Sequence, residues 1–153
     1  HTSWRFMAKV VAQNRRARYD YDIVDTVEAG IVLSGQEAKS CRMGNVNLSG
    51  AYVLFIKNKP ILRSATIALY RFSSNASDYN PSRDRELLMS KREVERMQSA
   101  LNEKGVSVIP IEVRADKYIK VLIGLGKGQK RIDKRKNIKE KDIARRIKKG
   151  EEY

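Results

Sequence analysis

A short apolar run that meets a helix-capping signal inside residues 28–52 sets the architecture open to this chain. Glu28 opens the run Ala29-Gly30-Ile31-Val32-Leu33, too apolar for a surface loop and too short for a buried helix. Its length and Ile-Val content make it a strand. Ser34 follows as a helix N-cap, and Glu37, three residues on, completes a capping box. Gly44 stands where a helix end needs a residue that accepts positive φ. Between these signals Ala38, Cys41 and Met43 are expected to face a core. Lys39, Ser40 and Arg42 then point outward as a small cationic and hydroxyl surface. An Asn- and Gly-rich loop holding Asn47 leads to a second strand near Tyr52.

The charge balance indicates what such a surface meets. Lysine and arginine number 32 against 18 acidic residues, a formal net charge of +14. That excess costs self-repulsion, and its usual counterpart is a polyanion. Nucleic acid fits better than an anionic membrane surface, and no apolar run approaches the roughly 20 residues that span a bilayer. At 153 residues the chain reads as one domain, able to bury about two-thirds of its unfolded surface. Cys41 is the sole cysteine, so the chain has no internal disulfide and suits a reducing, cytoplasmic setting. Nothing near the N-terminus forms a secretory apolar core. Residues 1–6 read as a remnant or extension ahead of Met7, the expected native start.

Asn14, Arg15, Arg16 and Arg18 crowd a basic opening. Tyr19-Asp20-Tyr21-Asp22-Ile23 then alternates, which predicts a half-buried strand with Tyr19, Tyr21 and Ile23 on one face. Tyr19 beside three arginines is a candidate for stacking on a base, against plain packing as the alternative. Residues 52–56 and 61–69 read as strands joined by a hairpin turn at Lys57-Asn58-Lys59-Pro60. Residues 70–82 are polar and read as an exposed loop. Arg83, Arg85, Leu87, Leu88 and Met89 lead into a helix with Ser90 as N-cap, Glu93 as its partner, Val94, Met97 and Leu101 as its buried stripe and Gly105 as its stop.

Residues 106–113 form a strand in which Pro110 marks an edge or a bulge. A turn at Ala115-Asp116-Lys117 leads to a last strand over residues 118–124. About six strands with few helical crossovers predict a mainly β fold with flanking helices, a small closed or nearly closed antiparallel barrel. The domain is expected over residues 7–125. Gly124, Gly126 and Gly128 read as a hinge into a basic tail, residues 126–153, with 12 basic and 5 acidic residues, a net of +7. Its few apolar side chains build no core, so the free tail is expected to be disordered. Ile143 and Ile147 lie one helical turn apart, and the tail is expected to order as a basic helix on RNA.

Catalytic chemistry has little to stand on. The only histidine is His1, so no Ser-His-Asp arrangement, Cys-His pair or histidine-ligated metal is available. The spacing Gly124-x-Gly126-x-Gly128 departs from both the dinucleotide fingerprint and the P-loop. Nothing in the sequence pairs Glu28, Glu37 or Glu112 as catalytic carboxylates. An enzyme, a cofactor and a metal are therefore not expected.

Taken together the motifs resemble the SmpB family of transfer-messenger RNA-binding proteins. The resemblance runs from about residue 12 to 147. It rests on Asn14-Arg15-Arg16-Ala17-Arg18-x-x-Tyr21, Glu28-Ala29-Gly30-Ile31 and Gly35-x-Glu37-x-Lys39-Ser40-x-Arg42-x-Gly44-x-x-Asn47. Arg83-x-Arg85-x-Leu87-Leu88 and Gly128-x-Lys130-x-x-Asp133-Lys134-Arg135 complete it. It implies an OB-type barrel with a basic C-terminal tail, and an adaptor role in ribosome rescue by trans-translation. The body would clamp the tRNA-like part of transfer-messenger RNA, while the tail enters the empty mRNA channel of the small subunit and folds there. Elongation factor Tu and alanyl-tRNA synthetase would be partners only through the RNA, and the protein would act as a monomer.

By position the resemblance implies RNA contact for Asn14, Arg16, Arg18, Tyr19, Glu28, Lys39, Ser40, Arg42 and Asn47. Glu28, an acid in an RNA site, would accept hydrogen bonds from the RNA or position an arginine. Lys127, Lys130, Asp133, Lys134, Arg135, Ile138, Lys139, Ile143 and Ile147 would serve on the ribosome. Tyr19 stands where the family often has histidine, Ile132 where an aromatic or histidine is common, Gln129 within a usual glycine-lysine-lysine run, and Cys41 in place of leucine. The alternatives are a general single-strand-binding OB module, such as an RNA chaperone, and a ribosomal structural protein.

Overall fold

The computed structural model describes residues 9–73 and 78–128. Nine strands, β1 (Lys9–Gln13), β2 (Tyr21–Ile31), β3 (Val46–Asn47), β4 (Tyr52–Ile56), β5 (Lys59–Arg63), β6 (Thr66–Ile67), β7 (Arg85–Leu88), β8 (Val106–Ala115) and β9 (Ile119–Gly128), are joined by three helices. These are α1 (Arg15–Asp20), α2 (Gly35–Arg42) and α3 (Lys91–Ala100). Seven strands form one antiparallel sheet in the order β1-β8-β9-β2-β7-β5-β4, and β3 pairs with β6 as a separate ribbon. The sheet curls until β4, at one edge, packs back against β8. No ladder joins β4 to β1 among the described residues, so the fold is an OB-like sheet open at one seam. Its inner face carries Ala29, Leu62, Leu87, Val108, Val121 and Ile123, each at most 1% exposed.

Both capping boxes form. Ser34 Oγ accepts from the Glu37 N–H while Glu37 Oε1 accepts from the Ser34 N–H, and Ser90 and Glu93 repeat the pattern at α3. Gly44 adopts φ +80° after α2, as the C-terminal signal requires. Val94 and Met97 of α3 are buried, and Leu101 is half-buried at its C-cap. Pro110 sits at a bulge, where the β8–β9 register shifts between Pro110 and Glu112. This is not an edge, since β8 lies between β1 and β9.

Other expectations fail for traceable reasons. Tyr19 is not in a strand: Arg15–Asp20 is helical, with Ala17 buried at 3% exposure, and the following strand begins at Tyr21. The alternation that suggested a separate strand is the start of β2, which continues past Glu28 into the apolar run and ends at Ile31. The hairpin between β4 and β5 turns on two residues, Lys57 and Asn58, both at positive φ, and Lys59 and Pro60 already belong to β5. Ser64, at φ 68°, divides the expected strand over 61–69 into β5 and β6. Met43, expected in the core, is half exposed.

The two largest differences concern charge and glycine. Arg85–Leu88 is not a lead into α3 but an inner strand, paired on either side with β2 and β5. The glycines after Ile123 are no hinge, because β9 continues through them to Gly128. A Cβ on Gly124 would stand 2.4 Å from Ile111 Cδ1, and one on Gly126 would stand 2.7 Å from Tyr21 Cβ. These glycines admit side chains from neighbouring strands across the sheet. The expected tail residues Lys130, Asp133, Lys134, Arg135, Ile138, Lys139, Ile143 and Ile147, and the extension 1–6, lie outside the described residues.

Candidate nucleic-acid interface

Helix α2 carries the densest group of expected contacts, and a buried ionic cluster fixes it to the sheet. Glu37 and Arg85 have no exposed surface, and Arg85 Nη2 donates to Glu37 Oε2 over 2.7 Å. Arg83 donates to both Glu37 oxygens, with Nε 3.0 Å from Oε2. Arg85 also donates to the carbonyls of Ala65 (2.8 Å) and Pro81 (2.9 Å). The Tyr79 hydroxyl lies 2.7 Å from the Ile67 carbonyl and 3.1 Å from Glu37 Oε2, its one proton serving that pair of acceptors. Burial pushes the Glu37 carboxyl up, but hydrogen bonds from Arg83, the Ser34 N–H and Arg85 outweigh it and hold the pKa at about 2. Burial, and then the Glu37 charge, raise the Tyr79 pKa and keep its phenol protonated.

With α2 seated this way, its residues separate by role. Ser40 is fully buried, and its hydroxyl donates to the Ala68 carbonyl at 2.6 Å. It secures the segment after β6 and is not on the surface expected of it. Cys41, also buried, has its thiol pushed up to about 11 by burial and is a small core side chain. Lys39 and Arg42, three residues apart on an exposed stripe, do face outward. Arg42 spreads its guanidinium over the β8–β9 turn, Nη1 donating to the Asp116 carbonyl (2.7 Å) and Nη2 to that of Lys117 (3.0 Å). Lys39 places Nζ 5.6 Å from the centre of the Tyr70 ring.

The turn held by Arg42 borders an open groove on the outer side of the sheet. Gly30, Leu33, Leu88, Lys117, Tyr118 and Lys120 line it together with Arg42. Gly30 is opposite Leu88 on one side and Lys120 on the other. A Cβ on Gly30 would come within 3.2 Å of Leu88 Cβ, so glycine lets Leu88 lie across the strand. Leu88 and Tyr118 are more than half exposed, and Lys117 Nζ is 5.7 Å from the Tyr118 ring centre. Cations beside an exposed aromatic ring and an apolar floor suit a phosphate backbone with an unstacked base.

Glu28 and Arg114 continue this face along β2 and β8. Arg114 Nη1 is 3.3 Å from Glu28 Oε2, while its Nε donates to Glu112 Oε2 at 2.5 Å. The acid at the start of the 28–52 stretch therefore positions an arginine. Asn14 caps α1 without a side-chain bond to the helix. Its Nδ2 donates instead to the Pro110 carbonyl at 3.0 Å, fastening α1 to the bulge in β8. Arg16, Arg18 and Tyr19 are exposed on α1, with Arg16 Nε 3.6 Å from Asp20. Asn47, exposed at the end of β3, bonds to its own loop, Oδ1 accepting from the Ser49 N–H at 2.8 Å. Lys127 lies in β9, with Nζ 3.7 Å from Glu103.

Thus the fold brings Arg42 beside Lys117, Tyr118 and Lys120, and Glu28 beside Arg114. It leaves Ser40 in the interior. Arg114, Lys117, Tyr118, Lys120 and Leu88 were not anticipated as site residues. The available signal was the pair of cations, Arg114 and Lys120, that flank a short turn, since opposite positions of a hairpin share a face.

Comparison with known proteins places relatives beside this chain. The family model described as SmpB protein matches residues 11–152. The SsrA-binding protein of Coprothermobacter proteolyticus is 45% identical over 141 residues, 91% of this chain and 94% of that protein. That of Enterococcus hirae is 41% identical over 140 residues, 91% and 90% of the two chains. A solved structure described as "tmRNA-SmpB: a journey to the center of the bacterial ribosome" superposes with a TM-score of 0.66 at 39% identity. It covers 78% of this chain and 85% of that one. By the family-model match over residues 11–152 and relatives 41% and 45% identical over 91% of its length, this chain belongs to the SmpB family.

Proposed function

We propose that the protein is an RNA-binding adaptor of trans-translation that binds the tRNA-like domain of transfer-messenger RNA and delivers it to stalled ribosomes. The observation that carries this is the near-full-length match to SsrA-binding proteins, 45% identical over 91% of this chain in one case. The sheet face supports it chemically. Arg42, Arg114, Lys117 and Lys120 supply cations for a sugar-phosphate backbone, and Tyr118 and Leu88 an apolar seat for an exposed base. Asn14, Arg16, Arg18, Tyr19, Glu28, Lys39 and Asn47 belong to the same contact set, with Ser40 acting through the Ala68 carbonyl from inside. The basic tail beyond residue 128 reads the vacant mRNA channel. Elongation factor Tu and alanyl-tRNA synthetase are reached only through the RNA, and the protein works in the cytoplasm as a monomer and not as an enzyme.

The test is equilibrium binding at physiological salt to transfer-messenger RNA and to unstructured RNA of equal length. Much tighter binding of the former is expected. Equal affinities would mean a general RNA chaperone, and stable retention in washed ribosomal subunits with no rescue defect on deletion would mean a ribosomal structural protein.

A further inference from the structure

The segment after β6 presents a second aromatic and cationic cluster, on the Lys39 side of α2. Tyr70 and Phe72 meet edge to face with ring centres 5.4 Å apart and planes at 67°. Lys39 Nζ is 5.6 Å from the Tyr70 ring centre, and the Arg71 guanidinium carbon is 4.6 Å from that of Phe72. The backbone beneath is pinned: the Tyr70 N–H donates to Gln36 Oε1 at 2.8 Å, and the Ser73 N–H to the Tyr70 carbonyl at 2.8 Å. Ala68 is held on both sides, its N–H donating to the Asn45 carbonyl and its own carbonyl accepting from Ser40. Phe72 nevertheless stays 68% exposed, the most exposed of the large apolar side chains among the described residues.

A backbone pinned by these bonds, with an exposed phenylalanine edge to face with Tyr70 and one cation over each ring, does not serve the core. Packing within the protein would favour apolar neighbours around Phe72, whereas this ring has a guanidinium. A protein partner's apolar patch would have to desolvate Lys39 and Arg71 without pairing them. A single-stranded RNA segment satisfies both features at once, because its bases stack on rings while its phosphates pair with the flanking cations. The cluster also adjoins the surface already assigned to RNA, since Lys39 and Arg42 share one stripe of α2. We infer that Tyr70 and Phe72, flanked by Lys39 and Arg71, form a stacking platform for unpaired nucleotides of the transfer-messenger RNA. It is a contact beyond the outer sheet face, and it rests on the RNA-binding role proposed above.

The experiment titrates the full chain and its Y70A, F72A, F72W, K39A and R71A variants against the tRNA-like domain of transfer-messenger RNA at several salt concentrations. F72A and Y70A are expected to bind about five- to 150-fold more weakly, the range for loss of one base-aromatic stack. F72W restores affinity, because any flat ring serves. The salt dependence of F72A stays that of the wild type, while K39A and R71A each lower the slope by about 1. Wild-type affinity in both F72A and Y70A, with the wild type still preferring this RNA to unstructured RNA, overturns the platform alone. So does loss of ribosome binding by F72A with unchanged affinity for the free RNA, which would assign the cluster to ribosomal RNA or to a ribosomal protein. If the wild type shows no preference for transfer-messenger RNA, the underlying role fails first and the platform falls with it.

Discussion

Arg85 and Glu37 meet 2.7 Å apart with no accessible surface on either side chain, although 48 residues separate them in sequence. Each charge is satisfied: Glu37 also accepts from Arg83 and the Ser34 N–H, and Arg85 also donates to Ala65 and Pro81 carbonyls. Removing one member would strand the other in a dry interior. E37Q is expected to destabilise the fold by about 3–5 kcal/mol, the range for an uncompensated buried charge. Replacing Glu37 and Arg85 together with apolar residues should cost clearly less than E37Q alone. Chemical denaturation of the three proteins checks this order.

The same carboxylate makes stability depend on acid. Its folded pKa of about 2 lies below the ordinary 4.5, so the unfolded chain binds the proton more readily across that interval. Stability from Glu37 is therefore fully present above the ordinary value and is lost as pH falls through it towards about 2. Denaturation midpoints measured down this range should fall steeply in the wild type. A glutamine has no proton to take up, so the E37Q curve should be flatter.

How much of this could be read from the chain alone follows from the range of each interaction. Ser34 with Glu37 and Ser90 with Glu93 are local, and both boxes form as the spacing predicts. The strand at Arg85 was hidden because a buried arginine looks like a surface residue until its partner 48 positions away is known. Tyr19 misled because an apolar-acidic alternation continues into a true strand, and the helix before it is only six residues long. At the site, Lys39 and Arg42 show outward by helical spacing. The burial of Ser40 depends on the Ala68 carbonyl, 28 residues on, and Tyr118 on a turn that Arg42 holds from 75 residues away.

The glycines of β9 give two substitutions with different outcomes. In G124A the new methyl meets the far end of the Ile111 side chain, which can rotate. In G126A it meets Tyr21 Cβ at 2.7 Å, which moves only with its backbone. G126A should therefore lose about 1–3 kcal/mol and G124A less. Thermal unfolding of the two variants measures the difference, and equal losses would mean that Ile111 has no room to turn.

Arg42 is exposed, so its contribution should appear in binding more than in folding. Its two bonds to the Asp116 and Lys117 carbonyls hold the turn that carries Lys117 and Tyr118. R42A is expected to weaken binding of transfer-messenger RNA about tenfold, the scale of one hydrogen bond to a charged group. R42K keeps the charge but not the fork, and should recover only part of that loss. An R42K variant equal to the wild type would reduce Arg42 to a simple phosphate contact.

Body and tail can be separated by truncation. Residues 133–153 hold 9 basic and 5 acidic side chains, a net of +4, so their removal leaves +10 of the original +14. Most of the electrostatic attraction thus stays with the body, where Arg42, Arg114, Lys117 and Lys120 lie. If the body contacts roughly 6–10 phosphates, affinity should fall on the order of 10³–10⁵ between about 50 and 200 mM salt. The truncated protein should retain nearly all of that affinity and that slope while losing peptide tagging on stalled ribosomes. Gel-shift titrations at graded salt, together with a tagging assay, read both halves. If truncation removed RNA binding before tagging, the tail would be the principal RNA contact and the sheet face a minor one.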